Sequence, residues 1–227
     1  QGDGAGEMAS LVGVNLGSGR TARNITAGWR HTCALLDNSS VKCWGHNESG
    51  QLGIDSIATT GDASGEMAQL GVINLGSGRT ATNITAGGDH TCALLDDSSV
   101  KCWGGNIKGQ LGRDDNDAMG RGAGEMAQLG VINLGSGRTA TNVTAGFNHT
   151  CALLVNGSVK CWGFNDKGQL GIDSTSNQGD DSGEMANLTG INFWGSMRMG
   201  GSIQGTELSL STAVTTLAGT GSACTSN

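Results

Sequence analysis

The chain has 227 residues, of which 41 are glycine and none is proline or tyrosine, and its formal net charge is −7. Arg and Lys are scattered along it, which argues against a nucleic-acid partner because phosphate binding needs a concentrated basic face. No run approaches the roughly 18 apolar residues of a membrane-spanning helix, so we expect no membrane span. The chain begins at Gln1 rather than Met, which we interpret as a processed mature form or a fragment.

A repeat of 59 residues organises the chain. The sequence Gly-Glu-Met-Ala begins at four evenly spaced positions, which are Gly6, Gly65, Gly124 and Gly183. This spacing predicts three full units at residues 6–64, 65–123 and 124–182, followed by a degenerate fourth repeat with a β tail at 183–227. Each unit offers about four short strand-like stretches separated by glycines, with no helical period of useful length. The sequence therefore predicts an all-β fold with one small sheet per repeat.

A β-hairpin is predicted in each unit, at residues 31–45, 90–104 and 149–163. If Cys92 lies opposite Cys102, then Leu94 lies opposite Val100, and the two cysteines can approach to disulfide distance. The same ten-residue spacing recurs, so we expect three intrachain disulfides: Cys33–Cys43, Cys92–Cys102 and Cys151–Cys161.

The tip of each hairpin needs one residue with positive φ. Gly157 suits that place in the third copy, since glycine adopts positive φ freely. Ser39 and Ser98 hold the place in the other copies, where a shift of the left-handed residue to Asn38 or Asp97 is an alternative.

Cysteine usage favours an oxidising compartment, and hence a secreted, extracellular protein, with Cys224 left over. A zinc site is the rival interpretation for four residues of the first unit, which are His31, Cys33, Cys43 and His46. It fails in the later copies, because Gly105 and Phe164 stand where His46 would be needed. The acidic loops, such as residues 114–117 and 180–181, are interpreted as solvated charge rather than a calcium site, since they lack an EF-hand pattern. We therefore expect no metal and no cofactor.

Asn-X-Ser/Thr sequons are dense for a chain of this length. N-linked glycans are predicted at Asn24, Asn38, Asn47, Asn83, Asn142, Asn156 and Asn187. An eighth sequon, at Asn148, immediately precedes His149 of the repeated motif, so we expect packing to block it.

The motif residues resemble the RCC1-type repeat. In the second unit they read Ala86-Gly87-X-X-His90-Thr91-X-Ala93-Leu94, then Val100-X-X-Trp103-Gly104-X-Asn106-X-X-Gly109-Gln110-Leu111-Gly112. The chain looks especially like a cysteine-containing, secreted variety of this repeat. The resemblance covers residues 6–182 and implies a β-propeller of four-stranded blades, usually seven. Three units and a partial fourth are too few for that ring, so an incomplete or open propeller is expected.

The fourth unit departs from the pattern after Ala186. Phe193-Trp194-Gly195 replaces the usual Leu-Gly-Ser, and no His-Thr-Cys hairpin follows. Residues 206–214 alternate like one half-buried strand. This tail is predicted either to close the last blade of its own chain or to be lent to a neighbour.

No catalytic set is present, so we predict a protein that is not an enzyme. The recurring histidines have no nucleophile beside them, because the cysteines are expected to be oxidised. A repeated His or Trp is typical of packing between blades. The expected packing residues are His31, His90, His149, Trp44, Trp103 and Trp162.

Three classes of function fit these patterns. The first is an extracellular structural glycoprotein whose copies form a filament or surface assembly by packing blade to blade. The second is a secreted propeller that recognises a protein or glycan on its loop face. The third, a nucleotide-exchange or chromatin factor, is disfavoured by the cysteine pairs, the sequons and the negative charge. We favour the first, because an incomplete set of blades leaves edges that pair with other chains.

Overall fold

The structure, a computed structural model, describes residues 3–191. These residues form three antiparallel sheets of three strands each. We call them blades 1, 2 and 3. Blade 1 contains β1 (Ala22–Ala27), β2 (His31–Leu36) and β3 (Val41–Gly45); blade 2 contains β4 (Ala81–Ala86), β5 (His90–Leu95) and β6 (Val100–Gly104); blade 3 contains β7 (Ala140–Ala145), β8 (His149–Leu154) and β9 (Val159–Gly163).

The predicted hairpin register is confirmed in all three blades. Cys92 lies opposite Cys102 and Leu94 opposite Val100, with the same pairing one repeat earlier and one repeat later. Each opposed cysteine pair forms a disulfide, with Cα atoms 4.0 to 4.1 Å apart. Local alternation and turn chemistry were enough to set this register, because both act within about 15 residues of chain.

The hairpin tips place positive φ at the serines themselves rather than at the residue before them. Ser39 and Ser98 both have φ of 65°, and Gly157 has φ of 80°. The preceding side chain holds each turn. Asn38 Oδ1, for example, accepts hydrogen bonds from the backbone N–H and the hydroxyl of Ser40. These local bonds offset the cost of the left-handed conformation.

The fourth stretch of each blade is not a regular strand, which corrects the predicted count of about four. Residues 71–75 run beside β3 and make one backbone bond to it, from Ile73 N–H to the Val41 carbonyl oxygen at 2.9 Å. Asn74 Oδ1 then accepts from Gly76 N–H and turns the chain away. Blade 1 therefore borrows its fourth segment from the next repeat, and blades 1, 2 and 3 straddle in turn the boundaries at 64, 123 and 182 that the sequence period suggested.

Four single-turn helices, absent from the sequence prediction, occupy the Gly-Glu-Met-Ala segments. They are the 3₁₀ turn Met8–Ser10 and the α-helical turns α1 (Glu66–Gln69), α2 (Glu125–Gln128) and α3 (Glu184–Asn187). A four-residue helix shows no periodicity, and Gly65 at the start of α1 has no side chain to cap it, so the sequence carried no sign of this helix. Glu66 fixes the loop before α1, since its Oε2 accepts from the backbone N–H groups of residues 61, 62 and 63. These hydrogen bonds lower the pKa of the Glu66 carboxyl.

The core lies between blades rather than inside one. One buried cluster joins blades 1 and 2, and a second joins blades 2 and 3. Each cluster is completed by a methionine and a leucine from a helical turn further along the chain: Met126 and Leu129 for the first, Met185 and Leu188 for the second. The three blades form an open propeller that does not close.

Candidate functional site at the blade interfaces

A hydrogen-bond relay links blade 1 to blade 2 through residues of the repeated motif. His31 Nε2 lies 2.8 Å from Thr91 Oγ1, and that hydroxyl donates to the Gln51 carbonyl oxygen at 2.8 Å. The same carbonyl accepts from Trp103 Nε1 at 3.1 Å. All four residues are buried, so every polar atom used here is protected from competing water.

The junction between blades 2 and 3 repeats this relay. His90 Nε2 lies 2.9 Å from Thr150 Oγ1, which donates to the Gln110 carbonyl oxygen. Trp162 Nε1 donates to the same carbonyl at 3.0 Å. The motif histidine thus serves the following blade, while the motif threonine and tryptophan serve the preceding one.

The relay fixes the tautomer of the histidines. The Thr91 hydroxyl donates its proton to the Gln51 carbonyl oxygen, so it can only accept from His31. The His31 ring must therefore be protonated at Nε2 and donate from that atom. Nδ1 of His31 and of His90 is then an unprotonated, buried atom without a hydrogen-bond partner in the described chain. Burial lowers the pKa of His31 to about 4 and that of His90 to about 3. The rings are therefore neutral at physiological pH and act as packing donors rather than bases.

Two glycines of each unit make room for these rings. A Cβ on Gly87 would lie 2.2 Å from a ring carbon of His90, and a Cβ on Gly53 would lie 2.6 Å from Trp103 Nε1. Gly112 has the same relation to Trp162 in the next junction. Gly87 is thus required by the histidine of its own blade, whereas Gly53 and Gly112 are required both by their positive φ and by the tryptophan of the neighbouring blade.

An aspartate clamps each junction from the outside. Asp55, at φ of 55°, accepts from the backbone N–H groups of Gly124 and Met126, at 3.0 and 2.8 Å. Asp114 accepts from Met185 N–H at 2.7 Å in the same way. Each carboxylate therefore binds the first turn of a helix that lies 69 to 71 residues further along the chain. Asp114 and its neighbour Asp115 are occupied by such protein donors, which accounts for the acidic loop without calcium.

The sequon asparagines at equivalent positions form an amide ladder across the blades. Asn24 Nδ2 donates to Asn83 Oδ1 at 3.2 Å, and Asn83 Nδ2 donates to Asn142 Oδ1 at 2.6 Å. Nδ2 is the atom that would carry a glycan, and in Asn24 and Asn83 this atom donates a hydrogen bond to the next blade. Asn142 is exposed at the end of the ladder.

The remaining sequons differ in accessibility. Asn47 is fully buried; its Nδ2 donates to the carbonyls of residues 56 and 58 and its Oδ1 accepts from Leu52 N–H. The prediction of a glycan at Asn47 is therefore corrected, because the folded blade has no room for one. Asn38, Asn156 and Asn187 are exposed, and Asn148 is half-buried.

Blade 3 exposes the face that blades 1 and 2 bury. Leu153 is 41% exposed, whereas Leu94, at the same position of blade 2, is 6% exposed. Gly171 and Asp173 are likewise exposed, and His149 is only half-buried. Burial lowers the pKa of His149 in the same direction as for the other two histidines.

Blade 1 exposes the opposite face. Ile25 is 64% exposed, against 3% for its counterpart Ile84. Trp44 and Thr32 are half-buried, whereas Trp103 and Thr91 are fully buried. Trp44 and His149 are thus predicted packing residues that have no partner blade in the described chain.

The zinc alternative for the first unit is not compatible with the bonding of its cysteines. Cys33 and Cys43 of the zinc alternative are joined in a disulfide, and residues 3–191 contain no group of three or more His, Cys, Asp or Glu side chains placed to hold an ion. In the same part of the chain, no helix has both the length and the apolar composition for a membrane crossing.

Three interface contacts escaped the sequence analysis: the Gln51 carbonyl, the Asp55 clamp and the asparagine ladder. The repeat itself carried the available signal. Asp recurs at 55, 114 and 173 and Asn at 24, 83 and 142, each at the same 59-residue spacing. Spacing alone does not say that a residue bonds a neighbouring blade, since that contact joins segments 40 to 71 residues apart.

Sequence comparison agrees with this architecture. The family profile of the regulator of chromosome condensation (RCC1) repeat matches residues 22–51, 81–110 and 140–169, which are the three hairpin-bearing sheets. The chain therefore contains three RCC1 repeats. The crystal structure of Prp20p from Saccharomyces cerevisiae, a yeast RCC1, superposes with a TM-score of 0.59 at 19% identity, over 77% of this chain and 39% of that one.

Two curated relatives share the repeats at higher identity. The probable E3 ubiquitin-protein ligase HERC4 of Homo sapiens is 31% identical over 158 residues, which is 68% of this chain but 13% of that protein. The mitochondrial RCC1 domain-containing protein RUG3 of Arabidopsis thaliana is 31% identical over 65% of this chain and 32% of its own length. The shared region is the repeat array, so the likeness extends to the blades.

Proposed function

We propose that this protein is an extracellular, non-catalytic structural glycoprotein whose copies assemble head to tail by packing blade 1 of one copy on blade 3 of the next. The observation that carries the proposal is the complementarity of the two terminal faces. Positions that are exposed on blade 1, such as Ile25, are buried at the same place in blades 2 and 3. Positions that are exposed on blade 3, such as Leu153, are buried at the same place in blades 1 and 2.

The chemistry of the repeats supports an extracellular setting. Three disulfides that staple hairpins are useful only where thiols are oxidised. Glycans at Asn38 and Asn156 would sit on exposed hairpin tips, and a glycan at Asn187 on another exposed surface.

A heterologous contact of this kind produces a closed ring or a filament. Because the units are nearly identical in sequence, a joint between copies can reproduce an internal junction and continue without limit. The predicted strand at 206–214 and Cys224 lie outside the described residues, and the contacts proposed here do not depend on them.

The test is the assembly state of the secreted, disulfide-bonded chain. Light scattering over a concentration series should show growth beyond the monomer, and negative-stain electron microscopy should show filaments or rings with a regular axial or angular repeat. A chain that stays monomeric at the highest soluble concentration would refute the structural role.

A recognition function is the second candidate, and one observation favours it. Trp29 and Phe147 expose 58% and 56% of their surface, with ring centroids 5.7 Å apart across Gly88. Arg30 stacks on the Trp29 ring at 4.4 Å. Exposed rings of this kind suit a sugar or an apolar peptide side chain. A glycan-array signal that is lost in Trp29→Ala, with assembly absent, would place the protein in this class.

A further inference from the structure

We infer that four positions on blade 3 form the joint between copies. They contact Thr32, Trp44 and the α1 turn of a second copy. This inference rests on the proposed function and names its contacts. The four positions are His149, Gln169, Gly171 and Asp173. Each is the third-blade counterpart of a position that contacts the following blade or its helical turn at both internal junctions.

The first set of contacts in the joint continues the hydrogen-bond relay of the internal junctions. At the internal junctions a histidine meets a threonine 60 residues later, and a glutamine carbonyl accepts from a tryptophan 52 residues later. Continued by one repeat into the next copy, this pattern pairs His149 with Thr32 and the Gln169 carbonyl with Trp44 Nε1. Trp44 and Thr32 are half-buried, whereas their counterparts in blades 2 and 3 are buried. This difference is expected if a preceding blade from a second copy covers them in the assembly.

The second contact in the joint is the bond between an aspartate and a helical turn. Asp173 has φ of 54°, within a few degrees of Asp55 and Asp114, but it is exposed and bonds no helical turn in the described chain. The corresponding recipient is α1, whose Met67 is half-buried while Met126 and Met185 are fully buried. No aspartate of residues 3–191 caps the Met67 amide in the way that Asp55 caps Met126. The Asp173 carboxylate of one copy therefore accepts from Met67 N–H of the next.

Gly171 lies where the Trp44 ring of the second copy would pack. Gly53 and Gly112 lie directly beneath Trp103 and Trp162. Above Gly171 the nearest side chain is Ile191, whose Cδ1 would lie 2.9 Å from an added Cβ. Ile191 also makes two backbone bonds with Val159, at 2.7 and 3.1 Å. The chain's own Ile191 thus occupies the seat that Trp44 of a second copy would take, and its side chain must swing out on assembly.

The first residues of the incoming copy have no place in the joint. Residues 185–191 already hold the place on blade 3 that residues 67–73 hold on blade 1, so residues 8–14 of the second copy cannot also occupy it. Those residues are exposed, and their described hydrogen bonds are local, as between Ser10 and Glu7. The incoming copy therefore docks through its β1 and β3 side chains and its α1 turn, with its first residues displaced.

The decisive variant is Gly171→Asn. Asparagine tolerates positive φ, so the loop keeps its conformation, while the added side chain fills the seat for Trp44. We expect self-association about tenfold weaker or more, the usual effect of blocking the centre of an interface. The matched control is Gly137→Asn, which makes the same change at φ of 66° in an exposed loop of the same blade, where no atom lies within 4 Å of an added Cβ, and should leave association unchanged.

Association is measured by sedimentation velocity of the full chain over a concentration series, with circular dichroism and thermal melting to verify folding. Asp173→Ala should also weaken association, and Ile191→Ala should associate at least as tightly as the wild type. Wild-type assembly together with unchanged assembly of Gly171→Asn and Asp173→Ala would overturn this joint and leave the structural role standing. Weaker association of Ile191→Ala would show that Ile191 belongs to the joint. A wild-type chain that does not associate would end both proposals.

Discussion

Blade 2 and the two terminal blades share nearly the same sequence but lie in different environments. Trp103 is completely buried beneath the preceding blade, whereas Trp44, in the same Val-Lys-Cys-Trp-Gly context, is half-buried. Leu94 and Leu153 differ in the same way at the other face. The comparison teaches that the motif residues belong to junctions rather than to blades. The free energy that each contributes depends on whether a neighbour is present.

The largest difference in unfolding free energy between the blades is expected when the motif tryptophan is replaced. Trp103→Ala should destabilise the folded chain by about 3–5 kcal/mol, because it removes a fully buried aromatic side chain and leaves a cavity. Trp44→Ala should cost less in the monomer, since Trp44 is already partly exposed to water. Urea unfolding of dilute, monomeric protein measures both. Equal losses would mean that Trp44 packs as fully as Trp103.

The next largest effect on the unfolding free energy is expected from lowering the pH. The pKa of His31 is lowered from 6.5 to about 4, which corresponds to a stability contribution on the order of 3 kcal/mol. Because the folded pKa lies below the unfolded one, this contribution is complete above about pH 6.5 and is lost as the pH falls towards 4, and towards 3 for His90. The unfolding free energy measured between pH 7 and 4 should therefore fall.

The His90→Asn variant provides the control for that titration. Its stability at pH 7 is reduced, but its pH slope between 6.5 and 4 should be shallower than that of the wild type, because one buried histidine no longer takes up a proton on unfolding. A slope unchanged by the substitution would assign the acid sensitivity to the carboxylates instead.

Removal of a hairpin disulfide should cost roughly 2–3 kcal/mol by the chain-entropy estimate for a short loop. The double variant of Cys92 and Cys102 to Ala should lose more than the double variant of Cys151 and Cys161, since both sulfurs of the first pair are buried between two blades while Cys151 is half-buried. Thermal melting of the two variants in parallel tests this order. The reverse order would contradict the assignment of blade 3 as the open end.

The smallest effect is expected for the clamp. Asp55→Ala removes two hydrogen bonds to the α2 turn and should cost about 1–2 kcal/mol, whereas Asp173→Ala should be nearly neutral in the monomer. Both residues have φ near 55°, so the strain introduced by alanine is the same and cancels in the comparison. Urea unfolding at a concentration below assembly resolves the difference. Equal costs would show that the strain, not the contact, dominates.

The sequence by itself determined the repeat, the all-β class, the hairpin register and the three disulfides. These follow from alternation, turn residues and ten-residue cysteine spacing, all of which act between residues close in the chain. The resemblance to the RCC1 repeat added the propeller, and the family match bears it out.

Only the tertiary structure decided which atoms hold the blades together. The Gln51 carbonyl is a backbone atom with no sequence signature, and its partners Thr91 and Trp103 come from another repeat. The fourth segment of each blade likewise comes from the following repeat, and the burial of Asn47 depends on carbonyls 9 and 11 residues away. Such contacts depend on how sheets stack, which a 59-residue period signals but does not specify, because identical side chains are buried or exposed according to the neighbour that stacks on them.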